Sequence, residues 1–280
     1  MNKRVVVIGA KGFIGSSIVE QLKKESFDPI QLTSSTCDLL INDSISILKK
    51  LIKNEDIIVF AAAIAPVKNW EMFGTNMIIV QNLLKGLEGK KIQYLLNISS
   101  DAVYSDSTKE LNEKSATIPD NPHGYMHFVR ETLLNENFNY KIGHLRPTLV
   151  YGENDPHNGY GPNMFLRLAK NGENISLFGK GEELRDHIYV GDVAKIASYM
   201  ISNSLDEVIN AVSSSPLTFM QIAEEIKRSS KLPLDIISKK RNGPMPHNGL
   251  RIFSKSKITN SLFEYKFKSL KDYIKKELNG

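Results

Sequence analysis

Three glycines placed directly after a short β-branched run constrain this chain more than any other feature. Residues 5–8 read Val-Val-Val-Ile, and Gly9-Ala-Lys-Gly12-Phe-Ile-Gly15 follows at once. An apolar run without alternation suits a strand buried on both faces of a parallel sheet. The GxxGxxG spacing bends the chain tightly and lets the backbone N–H groups opening the next helix approach a pyrophosphate. Gly9, Lys11, Gly12, Phe13, Ile14 and Gly15 are therefore candidate dinucleotide contacts.

The rest of the N-terminal half keeps the rhythm that such a start demands. Strands are predicted over residues 29–32, 56–61, 92–98 and 142–145, alternating with helices over 13–24, 45–52, 70–87 and 123–136. Strand and helix in alternation predict an α/β protein with a Rossmann-type, doubly wound parallel sheet, its nucleotide site at the carboxyl ends of the strands. Past about Tyr151 the rhythm stops, and Pro and Gly cluster between Gly152 and Pro162. The expected division is a dinucleotide-binding domain over 1–150 and a smaller α/β substrate-binding part over 151–280, packed on it, with some chain crossing.

Cofactor selectivity is read at the end of the second strand, where a carboxylate would bind a ribose 2′-hydroxyl and favour NAD. Here the chain reads Leu32-Thr-Ser-Ser-Thr36, hydroxyls with no acid, and Lys11 offers a point charge for a 2′-phosphate. Ser34 and Lys11 thus favour NADP, with NAD the alternative. Asp38 is a candidate for the adenine amino group, or a surface Asp ahead of a helix.

Composition narrows the partners. The 280 residues are 41% hydrophobic, ample for a packed core, and no run reaches about eighteen apolar residues, so no membrane span is expected. Residues 5–8 are too short a stretch for a secretory signal, and a single Cys37 suits a reducing compartment, so a cytoplasmic protein is expected. The net charge of +5 comes from Lys and Arg spread along the chain, without aromatic-interleaved clusters. That pattern fits a solvated surface and a small anionic substrate, and not a nucleic-acid groove.

Six stretches in order carry a family resemblance: GAKGFIG, Ala61-Ala62-Ala63, Asn76, Ile98-Ser-Ser100-Asp101-Ala-Val-Tyr104, Leu145-Arg-Pro-Thr-Leu-Val-Tyr-Gly152, and Leu177 to Ala194 with its Leu-Arg185-Asp-His-Ile-Tyr-Val core. Together they resemble the extended short-chain dehydrogenases of the NAD-dependent epimerase/dehydratase family, which act on nucleotide sugars. The resemblance implies cofactor contacts from Ala61, Ala62 and Ala63. It implies that Ser100 hydrogen-bonds the sugar oxygen at the reacting carbon and that Arg185 grips the nucleotide diphosphate; the other reading of Arg185 is a surface Arg paired with Asp186 or a neighbouring Glu. Asp101 matches the acid of sugar 4,6-dehydratases, but Ala102 stands where those enzymes carry Glu, which weakens a dehydratase reading. Tyr160 and Asn163, in Gly159-Tyr-Gly-Pro-Asn163, are plausible substrate-loop contacts or ordinary helix-entry residues.

The chain departs from the family where the chemistry is expected. Relatives of this type carry Tyr-Gly-x-x-Lys with an acid four residues beyond the Lys. Aligning Gly124 and Glu131 on that pattern puts His123 at the Tyr and His127 at the Lys; starting at Tyr125 instead finds Val129 at the Lys. A Tyr titrates near 10 and needs a cationic helper, whereas His titrates near 6.5. His123 is thus the candidate acid/base and His127, one turn on, the candidate ribose donor. Two protonated rings would repel, so one His should stay neutral. The competing reading is a decayed site with two polar histidines at a helix start. The i, i+4 histidines have no Glu between them in the zinc-protease manner, so no metal is expected.

These observations predict an NADP- or NAD-dependent nucleotide-sugar oxidoreductase that moves hydride at a sugar carbon, by 4-keto reduction or epimerisation. Alternatives are a 4,6-dehydratase or a non-catalytic NAD(P)-binding sensor or scaffold. The substrate is expected to be a nucleotide-diphosphate sugar. A homodimer is expected through the helices predicted over 70–87 and 123–136.

Overall fold

The computed structural model describes residues 4–255 and 266–279. The polar lead-in 1–3 and residues 256–265 of the expected substrate part lie outside the described residues. The chain forms two compact units: Met1–Ser105, Ser115–Pro147 and Val193–Ala211 make the first, and Asp106–Lys114, Thr148–Asp192 and Val212–Gly280 the second.

The first unit is built on six parallel strands: β1 (Val5–Ile8), β2 (Ile30–Leu32), β3 (Ile57–Phe60), β4 (Tyr94–Ile98), β5 (Ile142–Pro147) and β10 (Val208–Ala211). Their order across the sheet is β10-β5-β4-β3-β1-β2. The chain therefore leaves β1 to one side for β2 and returns to the other for β3. That reversal opens a crevice at the carboxyl ends of β1 and β3, where open α/β sheets bind ligands. Every residue of β1, β3 and β4 is buried, as the unbroken apolar runs require; fully burying one Val, Ile or Leu side chain is worth roughly 1.5–3 kcal/mol. The sequence rhythm breaks at 151 because the sixth strand, β10, joins only after an excursion through the second unit.

The helices of this unit are α1 (Phe13–Lys24), α2 (Asp43–Leu51), α3 (Trp70–Leu87), α4 (Pro122–Asn137) and the part of α6 (Val190–Asn203) from Val193. Both helices that matter for the site begin on Asn caps. The Asn69 side chain accepts from the Met72 N–H at 2.8 Å, and Asn121 from the Gly124 N–H at 2.9 Å with Pro122 in the first turn. A capping Asn followed by Pro is why α4 starts one residue before the predicted 123.

The second unit has no such rhythm. Its short strands pair as β6 (Leu149–Tyr151) with β9 (His187–Tyr189), β7 (Ile175–Phe178) with β12 (Ile236–Lys239), and β8 (Leu184–Arg185) between β11 (Leu217–Thr218) and β13 (Leu250–Arg251). Helices α5 (Pro162–Lys170), α7 (Phe219–Ser229) and α8 (Leu270–Asn279) close over a core that includes Tyr151, Phe165, Ile175, Phe219, Ile222 and Tyr273.

Candidate active site

The glycine loop is shaped by close backbone approach. Gly9 has φ +88°, and a Cβ there would stand 2.6 Å from the Ala62 nitrogen; one on Gly15 would stand 2.1 Å from the Gly9 carbonyl oxygen. Only glycine lets the turn after β1 touch both the end of β3 and its own helix. The Gly9 and Ala10 N–H groups donate to the Leu32 carbonyl at 2.9 and 3.1 Å, which fixes the loop beside the end of β2. Gly12 is the N-cap of α1; no side chain caps the helix and its first turn holds no acid. An uncapped, acid-free helix start with glycines around it fits a pyrophosphate, so the residues present fit a dinucleotide. Phe13, Ile14, Ala61, Ala62 and Ala63 border this turn half-buried, and Lys11 is exposed.

Beyond β2 the chain turns on hydroxyls. The Thr33 N–H donates to Thr36 Oγ1 at 3.0 Å, and Thr33 Oγ1 lies 2.8 Å from Ser35 Oγ. Ser34 is exposed, and Asp38 accepts from the Leu40 N–H at 3.0 Å, in a local turn ahead of α2. No carboxylate stands between Leu32 and Cys37.

Ser100 follows β4 and caps a 3-10 turn over Asp101–Val103, its Oγ accepting from the Ala102 N–H at 3.1 Å. Helix α4 begins against that turn. A Cβ on Gly124 would meet the Ala102 carbonyl oxygen at 2.2 Å, so glycine beside His123 is what allows the helix and the Ser100 turn to touch. His123 and His127 pack edge to face with ring centroids 4.8 Å apart. His123 Nδ1 accepts from the Val67 N–H at 3.4 Å. Val67 sits in the loop after β3, which Asn76 clamps by accepting from the Ile64 N–H and donating to the Ile64 carbonyl, both at 3.0 Å.

His127 is buried with its Nδ1 unpartnered among the described residues. Burial, then the neighbouring His123 and Arg130, press its pKa well below the usual 6.5, so the ring is neutral at pH 7. Tyr125, the start of the other register, is 37% exposed and packs on Trp70 at 5.8 Å, away from the histidine face. Glu131 makes a bidentate bridge with Arg146 of β5, Nε to Oε1 at 2.9 Å and Nη2 to Oε2 at 2.5 Å. Burial raises the Glu131 pKa, but the Arg146 bonds and charge prevail and hold it below the usual carboxylate value. Arg146 also lies over the Tyr104 ring, whose hydroxyl donates to Asn210 Oδ1 at 2.7 Å. The acid therefore fastens α4 to β5, and Tyr104 ties the end of the Ser100 turn to β10.

In the second unit, Arg185 is 4% exposed and Nη2 donates to Glu183 Oε2 and to the Pro246 carbonyl, both at 2.7 Å. Arg241 holds the other Glu183 oxygen at 2.5 Å. Asp186 pairs instead with Ser213 and Ser214, accepting from their N–H groups at 2.9 Å. Tyr160 accepts from the Phe178 N–H at 3.1 Å, and its ring sits among Phe165, Phe178 and Phe219. Asn163 donates to Asp155 Oδ2 at 2.8 Å and accepts from the Gly152 N–H at 3.3 Å. The cap of α5 is Gly161, with Pro162 in the first turn, so Asn163 is no N-cap. Among the described residues, no group of three or more His, Cys, Asp or Glu could hold a metal ion.

Sequence reasoning missed Val67, Asn97 and Arg130. Val67 acts through its backbone, which leaves no trace in residue type. Arg130 left one: a cation three residues beyond His127, on the same helix face.

The fold and the glycine loop define a Rossmann-type class whose first turn fits a dinucleotide. The pattern of the NAD dependent epimerase/dehydratase family matches residues 5–212, and the chain belongs to that family. It is 24% identical to the N-acetyl-alpha-D-glucosaminyl-diphospho-ditrans,octacis-undecaprenol 4-epimerase of Escherichia coli over 255 residues, 83% of this chain and 75% of that protein. Its fold is similar to that of the Thermus thermophilus UDP-glucose 4-epimerase solved with NAD: TM-score 0.83, 21% identity, 99% of this chain and 98% of that one. A GDP-L-fucose synthetase of Naegleria fowleri bound to NADP superposes with TM-score 0.79 at 17% identity, over 99% and 92% of the two chains.

Proposed function

We propose that this protein is an NAD(P)-dependent nucleotide-sugar oxidoreductase that moves hydride at a sugar carbon, by epimerisation or 4-keto reduction. The observation that carries the reading is the edge-to-face pair His123–His127 on a helix packed against the Ser100 turn. Family membership supports the substrate class. The glycine loop with Phe13, Ile14 and Ala61–Ala63 would hold the dinucleotide, whose nicotinamide supplies the hydride chemistry when bound.

In this reading Ser100 hydrogen-bonds the sugar oxygen and His123 exchanges a proton through Nε2, alternating between the imidazolium and the neutral form that keeps its hydrogen on Nδ1, neither of which accepts from the Val67 N–H. When the ring carries a proton on Nδ1, that contact is lost. At 3.4 Å it is a weak bond, worth at most about 1 kcal/mol, less than a tenfold effect on rate. Neutral His127 serves as donor to the nicotinamide ribose. Asp101, Tyr160, Asn163 and Arg185 are assigned to the substrate side. For Arg185 and Asn163 the buried bonds to Glu183 and Asp155 support a role in setting the shape of that side. Ala102 beside Asp101 speaks against a dehydratase.

The hydroxyl turn after β2 and exposed Lys11 favour NADP over NAD. The exposed apolar stripe on α3 and α4, with Trp70 61%, Ile78 44% and Tyr125 37% exposed, supports a homodimer through that face. Trp70→Glu with Ile78→Glu should convert it to a monomer in sedimentation. A cytoplasmic setting fits the composition, and no helix among the described residues is long and apolar enough to cross a membrane.

The test is turnover of nucleotide sugars and their 4-keto forms by wild type and His123→Ala, following cofactor absorbance and sugar products together. Product formation that the substitution abolishes supports the reading. Tight cofactor binding without product, unaffected by His123→Ala, would make the chain a binding protein instead.

A further inference from the structure

Arg130 is 1% exposed and heads the largest fully buried side chains among the described residues. Its Nε donates to Asn97 Oδ1 at 2.6 Å, Nη1 to the Ala62 carbonyl at 3.0 Å, and Nη2 to the Phe60 carbonyl at 2.5 Å. The guanidinium lies 3.7 Å from the centre of the Phe60 ring. These partners are two backbone carbonyls, an amide and a ring face. The nearest acid in sequence, Glu131, gives both its oxygens to Arg146. Burying a cation without a carboxylate is costly, and an apolar side chain of similar size would fill the space more cheaply. What only a planar fork of donors supplies is direction: three bonds that hold α4 to the ends of β3 and β4 at once.

The strand end it holds is the one that the glycine loop touches. The Ala62 nitrogen and Cα stand 2.6 and 2.7 Å from the position of a Gly9 Cβ, so any shift of Ala62 is a shift of the pyrophosphate turn. On α4, Arg130 is two turns beyond His123 and one beyond His127. A continuous path therefore runs from the histidine pair through Arg130 to Ala62 and Gly9.

We propose that Arg130 is a positioning residue that fixes the floor of the dinucleotide cradle, the carboxyl end of β3, against the helix bearing His123 and His127. The inference rests on the reading of the glycine loop and Ala61–Ala63 as that cradle. It assigns Arg130 no contact with substrate or cofactor.

The test compares wild type, Arg130→Lys and Arg130→Met by fluorescence titration with NADH and NADPH, alongside thermal melting to give the folded fraction. Lys keeps a charge that can reach one carbonyl; Met keeps only bulk. Per folded molecule, the preferred dinucleotide should bind at least tenfold more weakly to Arg130→Met, with Arg130→Lys between it and wild type. A purely structural role would lower both melting temperatures and leave the affinity of the folded molecules within twofold, which overturns the proposal. If Arg130→Met does not fold, Arg130→Lys decides: a loss of threefold or more supports the proposal, and affinity within twofold overturns it. Wild type that binds neither dinucleotide overturns the cradle reading and this inference with it, whereas tight wild-type binding with unaffected variants overturns the inference alone.

Discussion

The backbone N–H of Val67 donates to Nδ1 of His123 at 3.4 Å, across 56 residues of sequence. The neutral ring then carries its hydrogen on Nε2 and can donate from it; acid or base work at Nε2 requires the ring to hold a hydrogen on Nδ1 and to give up the Val67 contact. Acid/base work and simple hydrogen bonding are separable here, because Asn can donate a hydrogen bond and cannot shuttle a proton. His123→Ala should lower kcat by roughly 10²–10⁴, the usual worth of general acid–base catalysis. His123→Asn should stay within about tenfold of the Ala variant. Recovery of most of the wild-type rate in His123→Asn would reduce His123 to a hydrogen-bond donor.

Three buried histidines tie stability to pH. Burial, His123 and Arg130 lower the pKa of His127; burial, Arg146 and Arg130 lower that of His144 against the pull of Glu131; burial first of all takes His187 down to about 3. Above pH 6.5 these rings are neutral folded or unfolded, and nothing is gained or lost. Below 6.5 the unfolded chain binds protons that the folded chain refuses, so stability falls as pH falls, by up to about 1.4 kcal/mol per ring per pH unit. The melting temperature should hold between pH 8 and 7 and drop steadily from 6.5 to 5. The ring signals of His127 in NMR should not titrate over that range. A melting temperature flat from pH 7 to 5 would contradict the neutral assignment of these rings.

The scaffold of the first unit was readable because its signals are local. The runs 5–8 and 57–60 are apolar throughout, as strands covered on both faces must be, and the helix over 70–87 was bounded to the residue. What escaped reading depends on contacts between distant segments. The sixth strand belongs to a sheet whose other members end at Pro147, and no local pattern announces that partnership. Arg185 was readable as a special Arg or as one paired with a nearby acid; that the acid is Glu183 and not Asp186 depends on the β8 geometry. Helix α4 hid its role best, because its buried face carries His127, Arg130 and Glu131 where periodicity expects apolar residues.

The Glu131–Arg146 bridge should behave as a buried pair does. Both side chains are under a tenth exposed and joined by two bonds. Removing one partner strands the other charge, so Glu131→Gln should destabilise the protein by about 3–5 kcal/mol in urea unfolding. Glu131→Leu combined with Arg146→Met removes both charges and should recover part of that loss. A single substitution costing less than about 1 kcal/mol would mean that water reaches the bridge.

Cofactor choice can be moved with one side chain. The turn after β2 offers the exposed hydroxyls of Ser34 and its neighbours, and no carboxylate. A carboxylate there repels a 2′-phosphate and accepts from a 2′-hydroxyl, so Ser34→Asp reverses the local charge logic without touching the glycine loop. Wild type should bind NADPH more tightly than NADH. In Ser34→Asp the NADPH affinity should fall at least tenfold while that for NADH holds or improves. Lys11→Ala supplies the matching half, since it removes the exposed cation that the NADP reading assigns to the phosphate. Its NADPH affinity should fall several-fold with NADH unchanged. Equal losses for both cofactors in either variant would show that Ser34 and Lys11 contact the part that the two dinucleotides share, and a wild type that prefers NADH would reverse the assignment.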